Sequence, residues 1–394
     1  MAVSGGIDSV VLLHSFLRLS REFDLKLHVA HLDHGLRKSS KRDARFVEEL
    51  SSRFGVQCTV KRVEVVRKKG ESLEEAARRT RYDFLRTLKT TLGFDFIATA
   101  HHKSDLSETV LYRIVRGTGV RGLVGMKPKN GCLIRPFLIF TREEIERYAS
   151  ENALPYVIDE TNFDIRYARN FTRHKVLPIL KSINPSIEDA LFRLSQNADM
   201  FQSYVDSVVN REMKNVRRLK MGCDFPIQDH DLLNSELIRN ISEKLTGRIP
   251  SWLDVKRSID MLNSGKKVVF WYDFGVWSSL GRVYVGKLSR ERIEYDLKEG
   301  EYEFNDYRVL VEKGTGLRFS DGMVLRNRRK GDRIGKKKLK DFLIERRVPA
   351  YLRDEIPLIA IGNKVVWIGG EMIDKKFSGD DFKVSMYFIG GDNS

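Results

Sequence analysis

The segment Ser4-Gly5-Gly6-Ile7-Asp8-Ser9, called the glycine loop below, combines two glycines, two hydroxyls and a carboxylate in six positions. A short apolar segment precedes it and an apolar run, Val10 to Leu13, follows it. This pattern predicts a turn between a strand and a helix that starts just after Asp8. Such a turn aims backbone N–H groups and the positive end of the helix dipole at one point, and glycines let an anion approach. We therefore expect the glycine loop to bind a phosphate group.

Two further segments place acids and histidines after predicted strands. Asp33 and His34 follow a predicted strand at Lys26 to Ala30, and residues 101–108 follow a second at Asp95 to Ala100. Since ligands of a parallel sheet gather beyond the carboxyl ends of its strands, the three loops are expected to share one rim. Asp105 and Glu108 are three positions apart in a helix whose start Ser104 signals, so they are expected on one helix face.

The elements that must position these residues alternate between strands and helices up to about residue 180. One helix opens at Ser72 with the spacing of a capping box, Ser72 to Glu75, and continues with apolar residues at helical intervals. This alternation predicts an α/β fold, a doubly wound parallel sheet with helices on both faces.

The pattern changes near Asn184-Pro185. Polar helices are predicted for 187–216 and 231–245, strands for 268–272 and 282–286, and a hairpin for 301–312. We therefore predict three domains: an N-terminal α/β domain (1–183), a mainly helical middle domain (184–292) and a small α+β C-terminal domain (293–394).

The chain of 394 residues carries 70 Lys and Arg against 54 Asp and Glu, a net charge of +16. From Lys313 to Arg353 there are 14 basic and four acidic residues. A solvated face of a charge-rich protein is the alternative, but the one-sided run favours a nucleic-acid partner. The predicted contacts, called the basic segment below, are Arg326, Arg328, Arg329, Lys330, Arg333, Lys336, Lys337, Lys338, Lys340, Arg346 and Arg347.

Other classes of protein are disfavoured by the composition. No uninterrupted apolar stretch of about 18 residues is present, so we expect no membrane span and a cytoplasmic location. Cys58, Cys132 and Cys223 lie far apart and form neither a C-x-x-C pair nor a disulfide framework.

The glycine loop lacks the G-K-[ST] ending of the common nucleotide P-loop and the G-x-G-x-x-G spacing of a dinucleotide site. It resembles the PP-loop of the Rossmann-like ATP pyrophosphatases, which use ATP as AMP plus pyrophosphate. Further segments narrow the resemblance to the tRNA(Ile)-lysidine synthetases. In order along the chain, these segments are Leu32 to Arg37, Thr99 to Thr109, Arg116 to Gly119, Gly122-Leu123, Arg135-Pro136, Asp159 to Asn162, Asp164, Tyr167 and Arg169-Asn170.

This resemblance implies that the enzyme adenylates the C2 oxygen of the wobble cytidine of tRNA(Ile) with a CAU anticodon and joins free L-lysine to C2. Asp105 and Glu108 would bind the amino groups of lysine, one of them or His101 would take a proton, and Arg81 and Asp8 would complete the catalytic set. Asp8 would also hold Mg²⁺ with ATP. The ATP-binding residues implied are Ser4, Gly5, Gly6, Ile7, Asp8, Ser9, Asp33, His34, Arg116 and Gly117.

Two other functions remain open from the sequence. One is 2-thiolation of tRNA by another PP-loop enzyme, although three scattered cysteines do not readily supply a persulfide or iron–sulfur ligands. The other is a catalytically inactive RNA-binding relative.

Four histidines (His31, His34, His101 and His102) near two strand ends suggest zinc, but no H-E-x-x-H or cysteine partner accompanies them, so Mg²⁺ is the only metal predicted. A homodimer is also left open.

Overall fold

The computed structural model describes residues 1–35, 40–68, 70–158, 168–262, 264, 266–288 and 292–389. Contacts divide the chain into two compact units, the N-terminal unit (residues 1–204) and the C-terminal unit (residues 205–394). The finer division into three domains stays a prediction. Residues 36–37 and 159–167, which include parts of the quoted motifs, lie outside the described residues.

The helices of the described residues begin and end as follows: α1 Ile7–Leu19, α2 Ser40–Arg53, α3 Leu73–Thr91, α4 Lys103–Arg116, α5 Val120–Leu123, α6 Arg142–Glu151, α7 Ala168–Phe171, α8 Leu177–Ile183, α9 Ile187–Glu212, α10 Asp231–Thr246, α11 Trp252–Asp260 and α12 Leu339–Glu345. A π-helical turn, Thr172–Val176, joins α7 to α8. Within the described ranges, no helix is both long enough and apolar enough to cross a membrane.

The strands are β1 Val29–Asp33, β2 Cys58–Arg62, β3 Ile97–Ala98, β4 Lys129–Asn130, β5 Leu133–Ile134, β6 Arg217–Leu219, β7 Gly222–Pro226, β8 Lys267–Trp271, β9 Phe274–Ser279, β10 Arg282–Lys287, β11 Glu294–Asp296, β12 Gly300–Phe304, β13 Tyr307–Leu317, β14 Met323–Arg326, β15 Arg333–Ile334, β16 Lys337–Lys338, β17 Leu358–Ile361, β18 Lys364–Ile368, β19 Glu371–Met372, β20 Ser378–Gly379 and β21 Phe382–Phe388.

Residues 1–3 join the strands of the N-terminal unit into one sheet. The Val3 N–H donates to Ala30 O in β1 (3.0 Å), and the Ala2 N–H donates to Ala98 O in β3 (2.9 Å). β2 pairs in parallel with β1, and β5 pairs in parallel with β3. The order is therefore β2, β1, residues 1–3, β3, β5, with β4 antiparallel beside β5.

Helices cover both faces of this sheet, as predicted. α1, α2 and α6 share one apolar core, which includes Val29 of β1. α3 contributes to a second apolar core, which includes Ala30, the residue of β1 that follows Val29. Since successive residues of a strand point to opposite faces, the two cores lie on opposite sides of the sheet. The predicted doubly wound α/β fold is confirmed.

Several local predictions agree with the structure. The capping box is present, since Ser72 Oγ accepts from the Glu75 N–H (3.2 Å) and the Glu75 carboxylate accepts from the Ser72 N–H (2.9 Å). The hairpin predicted for 301–312 forms from β12 and β13. The strand predicted at 26–30 lies three residues later, at Val29–Asp33, and the strand predicted at 95–100 is limited to Ile97–Ala98.

In the C-terminal unit, α10 and α11 pack on an antiparallel sheet of order β6-β7-β10-β9-β8. Asp224 of β7 is fully buried in this unit. Its carboxylate accepts hydrogen bonds from Arg217 (2.8 and 2.9 Å), from Arg282 (2.8 and 3.2 Å) and from the Tyr351 hydroxyl (2.6 Å). Tyr351 also stacks on Tyr284 with ring centroids 5.1 Å apart. Within the C-terminal unit, these contacts join β6, β7 and β10 to Tyr351, which follows the basic segment along the chain.

Candidate active site

The glycine loop forms a tight turn between residues 1–3 and α1. The Ser4 N–H donates to Ser9 Oγ (3.1 Å), and the Ser9 hydroxyl donates to Gly6 O (2.8 Å). Gly5 has a φ of +91°, and a Cβ there would lie 2.8 Å from Val157 Cγ2. Glycine is therefore required at this position both by the backbone conformation and by the close approach of Val157.

The start of α1 is open to an anion. Gly6 is the N-cap residue, and no side chain caps the helix. The Ser9 N–H donates to Gly6 O (3.0 Å), whereas helix geometry leaves the N–H groups of Ile7 and Asp8 without an acceptor in the helix, so these two can bind a ligand oxygen, and the helix dipole favours negative charge there. The tight turn and the uncapped helix start together suit a phosphate group.

Two other loops meet the glycine loop at the same edge of the sheet. Asp33 ends β1 and is buried; its carboxylate accepts the Gly35 N–H (2.7 Å) and lies 3.7 Å from Arg62. His34 follows at the same strand end. His101 follows β3, and its Nδ1 lies 2.9 Å from the Thr99 hydroxyl oxygen. The predicted arrangement of three loops on one rim is observed.

Asp105 and Glu108 lie together in the first two turns of α4, and both are buried. Two arginines from the α7 region hold them. Arg169 donates to Asp105 (2.7 Å) and Glu108 (2.6 Å), and Arg173 donates to Asp105 (3.1 Å) and Glu108 (2.5 Å). The site therefore places two carboxylates and two guanidinium groups within hydrogen-bonding distance of one another.

The neighbouring groups determine the charge states of Asp105 and His101. Burial by itself would raise the pKa of Asp105, but His102 and Arg169 outweigh it and lower the pKa to about 2. Burial lowers the pKa of His101 to about 4, against the opposite influence of Asp105. At neutral pH Asp105 is therefore ionised and His101 is uncharged.

His102 connects the acid pair to the glycine loop. Its buried ring places Nε2 3.8 Å from Asp8 Oδ1 and 3.5 Å from Asp105 Oδ2. Its backbone N–H also donates to Asp105 (3.0 Å) at the start of α4. The glycine loop and the acid pair are thus separated by a single side chain.

Asp8 has a partner that the sequence did not indicate. Arg142, the first residue of α6, donates from Nη1 to both carboxylate oxygens of Asp8 (2.7 and 2.6 Å). Its Nε donates to Glu146 (2.8 Å), one turn further along α6. Thr141 caps this helix in a capping box with Glu144. The sequence signal for the start of α6 was available, but nothing local showed which loop Arg142 faces.

The chain was also compared with known proteins. Residues 1–180 match the family model of a PP-loop domain, and residues 323–385 match one described as "TilS substrate C-terminal domain". The tRNA(Ile)-lysidine synthase of Thermotoga sp. (strain RQ2) is 39% identical over 94% of this chain and 90% of the relative. Those of Thermotoga maritima and Thermosipho africanus are 38% and 36% identical over 94% and 98% of this chain and 90% and 93% of the relatives. The chain belongs to the tRNA(Ile)-lysidine synthase family.

Membership of the tRNA(Ile)-lysidine synthase family confirms the resemblance stated from the motifs, and the PP-loop match identifies the glycine loop as part of an ATP-using domain. Among the residues that the structure describes, no cluster of three or more His, Cys, Asp or Glu side chains has the arrangement of a metal site.

Not every residue predicted for the lysidine synthase site lies at the rim. Arg81, on α3, is partly exposed at the surface and is close enough to Arg169 for their like charges to interact. Arg116 and Gly117 lie at the other end of α4, eleven residues beyond Asp105, which is about 16 Å along the helix axis. Arg116 there contacts Tyr112 (3.1 Å). The structure does not bring these two residues to the glycine loop.

The structure adds residues that the family motifs left without a role. Arg142, Arg173 and His102 were not predicted as site residues, and Arg169 was quoted only as part of a motif. The spacing of Arg169 and Arg173, four apart on one helical stretch, is a signal that could have indicated a pair facing one target.

The basic segment of this family member is mostly on the surface. Arg329, Lys330, Arg333, Lys336, Lys338, Lys340, Arg346 and Arg347 are exposed, whereas Arg328 and Lys337 are half-buried and pair with Asp354 and Glu345. Arg326 is a correction to the predicted set. Its side chain is buried, and its guanidinium donates to Asp332 (2.8 and 2.9 Å) and to Gly362 O (2.8 Å), so it serves the core of the unit and not an RNA surface.

Proposed function

We propose that this protein ligates free L-lysine to C2 of the wobble cytidine of tRNA(Ile) with a CAU anticodon, using ATP and releasing AMP and pyrophosphate. The observation that carries the proposal is the position of the Asp105–Glu108 pair. It lies one side chain, His102, away from the glycine loop that suits the phosphates of ATP. An activating site and an amine-binding site are thus adjacent, as a two-step ligation requires.

In the first step, the C2 oxygen of the cytidine attacks the α-phosphorus of ATP and pyrophosphate leaves. Ser4, Ser9 and the N–H groups of the glycine loop would hold the phosphates, because these groups converge at the uncapped start of α1. The Asp8 carboxylate, which is half-buried at the glycine loop, would hold Mg²⁺, which when bound neutralises phosphate charge. Asp33 and His34 stay proposed neighbours of the nucleotide on the same rim.

In the second step, the ε-amine of lysine attacks C2, and AMP leaves with the former C2 oxygen. Zwitterionic lysine has two ammonium groups and one carboxylate, and the site offers Asp105 and Glu108 for the former and Arg169 and Arg173 for the latter. Arg81 would add positive charge at the edge of this site.

The attacking amine must be neutral, yet lysine arrives as a cation. Nearby arginine charge disfavours the ammonium form and so helps to release its proton. His101 is uncharged at neutral pH and has a ring nitrogen that can accept this proton, as can a site carboxylate. We assign no single base among them.

The exposed residues of the basic segment would bind the phosphate backbone of tRNA. Lys and Arg contacts to phosphates release condensed counterions, so this binding should weaken steeply with salt. We place the reaction in the cytoplasm, where tRNA and ATP are available, and a homodimer stays an open alternative from the sequence.

The proposal is tested by incubating the protein with tRNA(Ile) transcript, ATP and isotope-labelled lysine, followed by mass analysis of the nucleosides. The expected product is cytidine that carries the labelled lysine, formed together with AMP. A thiolated nucleoside would instead identify the alternative PP-loop activity. RNA binding without AMP release would identify an inactive relative, and either result would refute the proposal.

A further inference from the structure

Within the part of the chain that the structure describes, Arg142 is a strongly basic side chain in direct contact with the glycine loop, and the reaction described above gives it no role. Its guanidinium donates to both oxygens of Asp8, and its Nε also donates to the Glu146 carboxylate. About one third of the side chain is exposed, so a ligand can reach it. An ion pair of this exposure contributes little to stability, which leaves its position beside the loop to be explained.

The position of Arg142 relative to the loop is set by the core. α6 packs on α1 through Ile145 and Ala149, which share a buried cluster with Val10 and Leu13. A hydrogen bond of 3.0 Å between His14 Nδ1 and the Tyr148 hydroxyl also joins the two helices. The first residue of α6 is therefore held at the start of α1, where the uncapped N–H groups point.

From this geometry we propose that Arg142 is a phosphate-binding residue of the glycine loop, whose guanidinium passes from Asp8 to the pyrophosphate portion of ATP when the nucleotide binds. This inference rests on the proposed use of ATP at the loop. It extends the phosphate site beyond the six loop residues to a helix more than 130 positions further along the chain.

The charges favour such an exchange. In the structure Arg142 Nη1 donates to both oxygens of Asp8, so a cation that binds Asp8 competes with the guanidinium for the same carboxylate and is repelled by its positive charge. A released guanidinium at this place faces phosphate oxygens, which are its preferred partners and which it can bind through two parallel N–H groups. Each charge keeps an opposite partner before and after the exchange.

The test measures binding of two probes, Mg²⁺-pyrophosphate and AMP, by calorimetry on the full chain. Arg142→Gln should weaken pyrophosphate binding about 10- to 100-fold, which is the effect of losing charge-assisted hydrogen bonds, and leave AMP binding unchanged. Arg142→Lys keeps the charge without the planar fork, so it should give a smaller loss of pyrophosphate affinity and again no change for AMP. Arg147→Gln, which removes an exposed arginine from the same helix, is the matched control and should bind both probes normally.

Unchanged pyrophosphate affinity in Arg142→Gln would overturn the inference, and so would an equal loss for both probes, since that indicates a structural role. If Arg142→Gln fails to fold, Arg142→Lys decides by the same criterion. Failure of the wild-type chain to bind either probe would refute the proposed use of ATP itself, which is a distinct result.

Discussion

Replacing Asp105 by asparagine should separate the two steps of the reaction. Asparagine has the same shape and can still accept the His102 N–H (3.0 Å), so the start of α4 is kept. The negative charge that Arg169 and Arg173 contact is lost, and so is the charge proposed to bind a lysine ammonium. One charge-assisted hydrogen bond contributes about 1.5–3 kcal/mol, so lysine transfer should slow by roughly 10- to 100-fold.

Adenylation is measured by ATP–pyrophosphate exchange with tRNA and without lysine, and transfer is measured by labelled lysine in the tRNA. Exchange should stay within about twofold of wild type, because the His102 side chain lies between Asp105 and the glycine loop, while transfer falls. Asp189→Asn, which removes a more exposed acid paired with Lys103, is the matched control and should affect neither assay. Equal loss of exchange and transfer in Asp105→Asn, or no loss of transfer, would refute the assignment.

Asp105→Asn should also change how the free energy of unfolding depends on pH. The pKa of Asp105 is lowered from 3.8 to about 2 in the folded protein, so its ionised form stabilises the fold at any pH above about 4. At about 1.4 kcal/mol per pH unit, roughly 2 kcal/mol of stability is lost as pH falls from about 4 to 2. Chemical unfolding across this range should show that loss in wild type and a smaller pH dependence in Asp105→Asn. Parallel curves would contradict the charge assignment.

Three further changes test other parts of the site. Asp8→Ala should reduce ATP–pyrophosphate exchange by about 100-fold or more, because the loop loses its carboxylate; a normal exchange rate would reject the role of Asp8. Gly5→Ala should lower both the melting temperature and ATP affinity, since a Cβ there meets Val157 at 2.8 Å, whereas Gly55→Ala, also at positive φ but in open space, should lower only stability. Removing three exposed lysines should weaken tRNA binding and reduce its salt slope by about two to three, measured by filter binding with ATP binding as the control; an unchanged slope would count against the basic surface. These lysines are Lys336, Lys338 and Lys340.

The parts that the sequence predicted well are those that local physics decides. The glycine loop, the Ser72 capping box and the β12–β13 hairpin each depend on residues within a few positions of one another. The helix after the loop was also predicted, but α1 begins at Ile7, two residues before the predicted start just after Asp8. The short buried strands were displaced by a few residues or shortened because their ends depend on pairing. β3, for example, is defined by only two residues that pair with β5.

The parts that the sequence did not predict depend on contacts between distant segments. Arg142 lies 134 positions from Asp8 and reaches it only because α6 packs on α1. Arg326 has the same residue type as its neighbours in the basic segment, but it lies at the end of a buried strand beside Asp332 and turns inward. Neither burial nor a partner of this kind follows from local composition.

The buried contacts of Asp224 with Arg217, Arg282 and Tyr351 have a practical consequence for the design of shortened forms of this protein. Ending the chain before the matched C-terminal family segment would delete Tyr351, leaving a carboxylate in the interior without one of its three donors and uncovering the aromatic face of Tyr284. Buried charge that loses a partner is strongly destabilising. A truncated protein that fails to bind tRNA would then report a damaged hydrophobic interior and would say little about which lysines touch the nucleic acid, so exchanging surface charges one group at a time is the cleaner route.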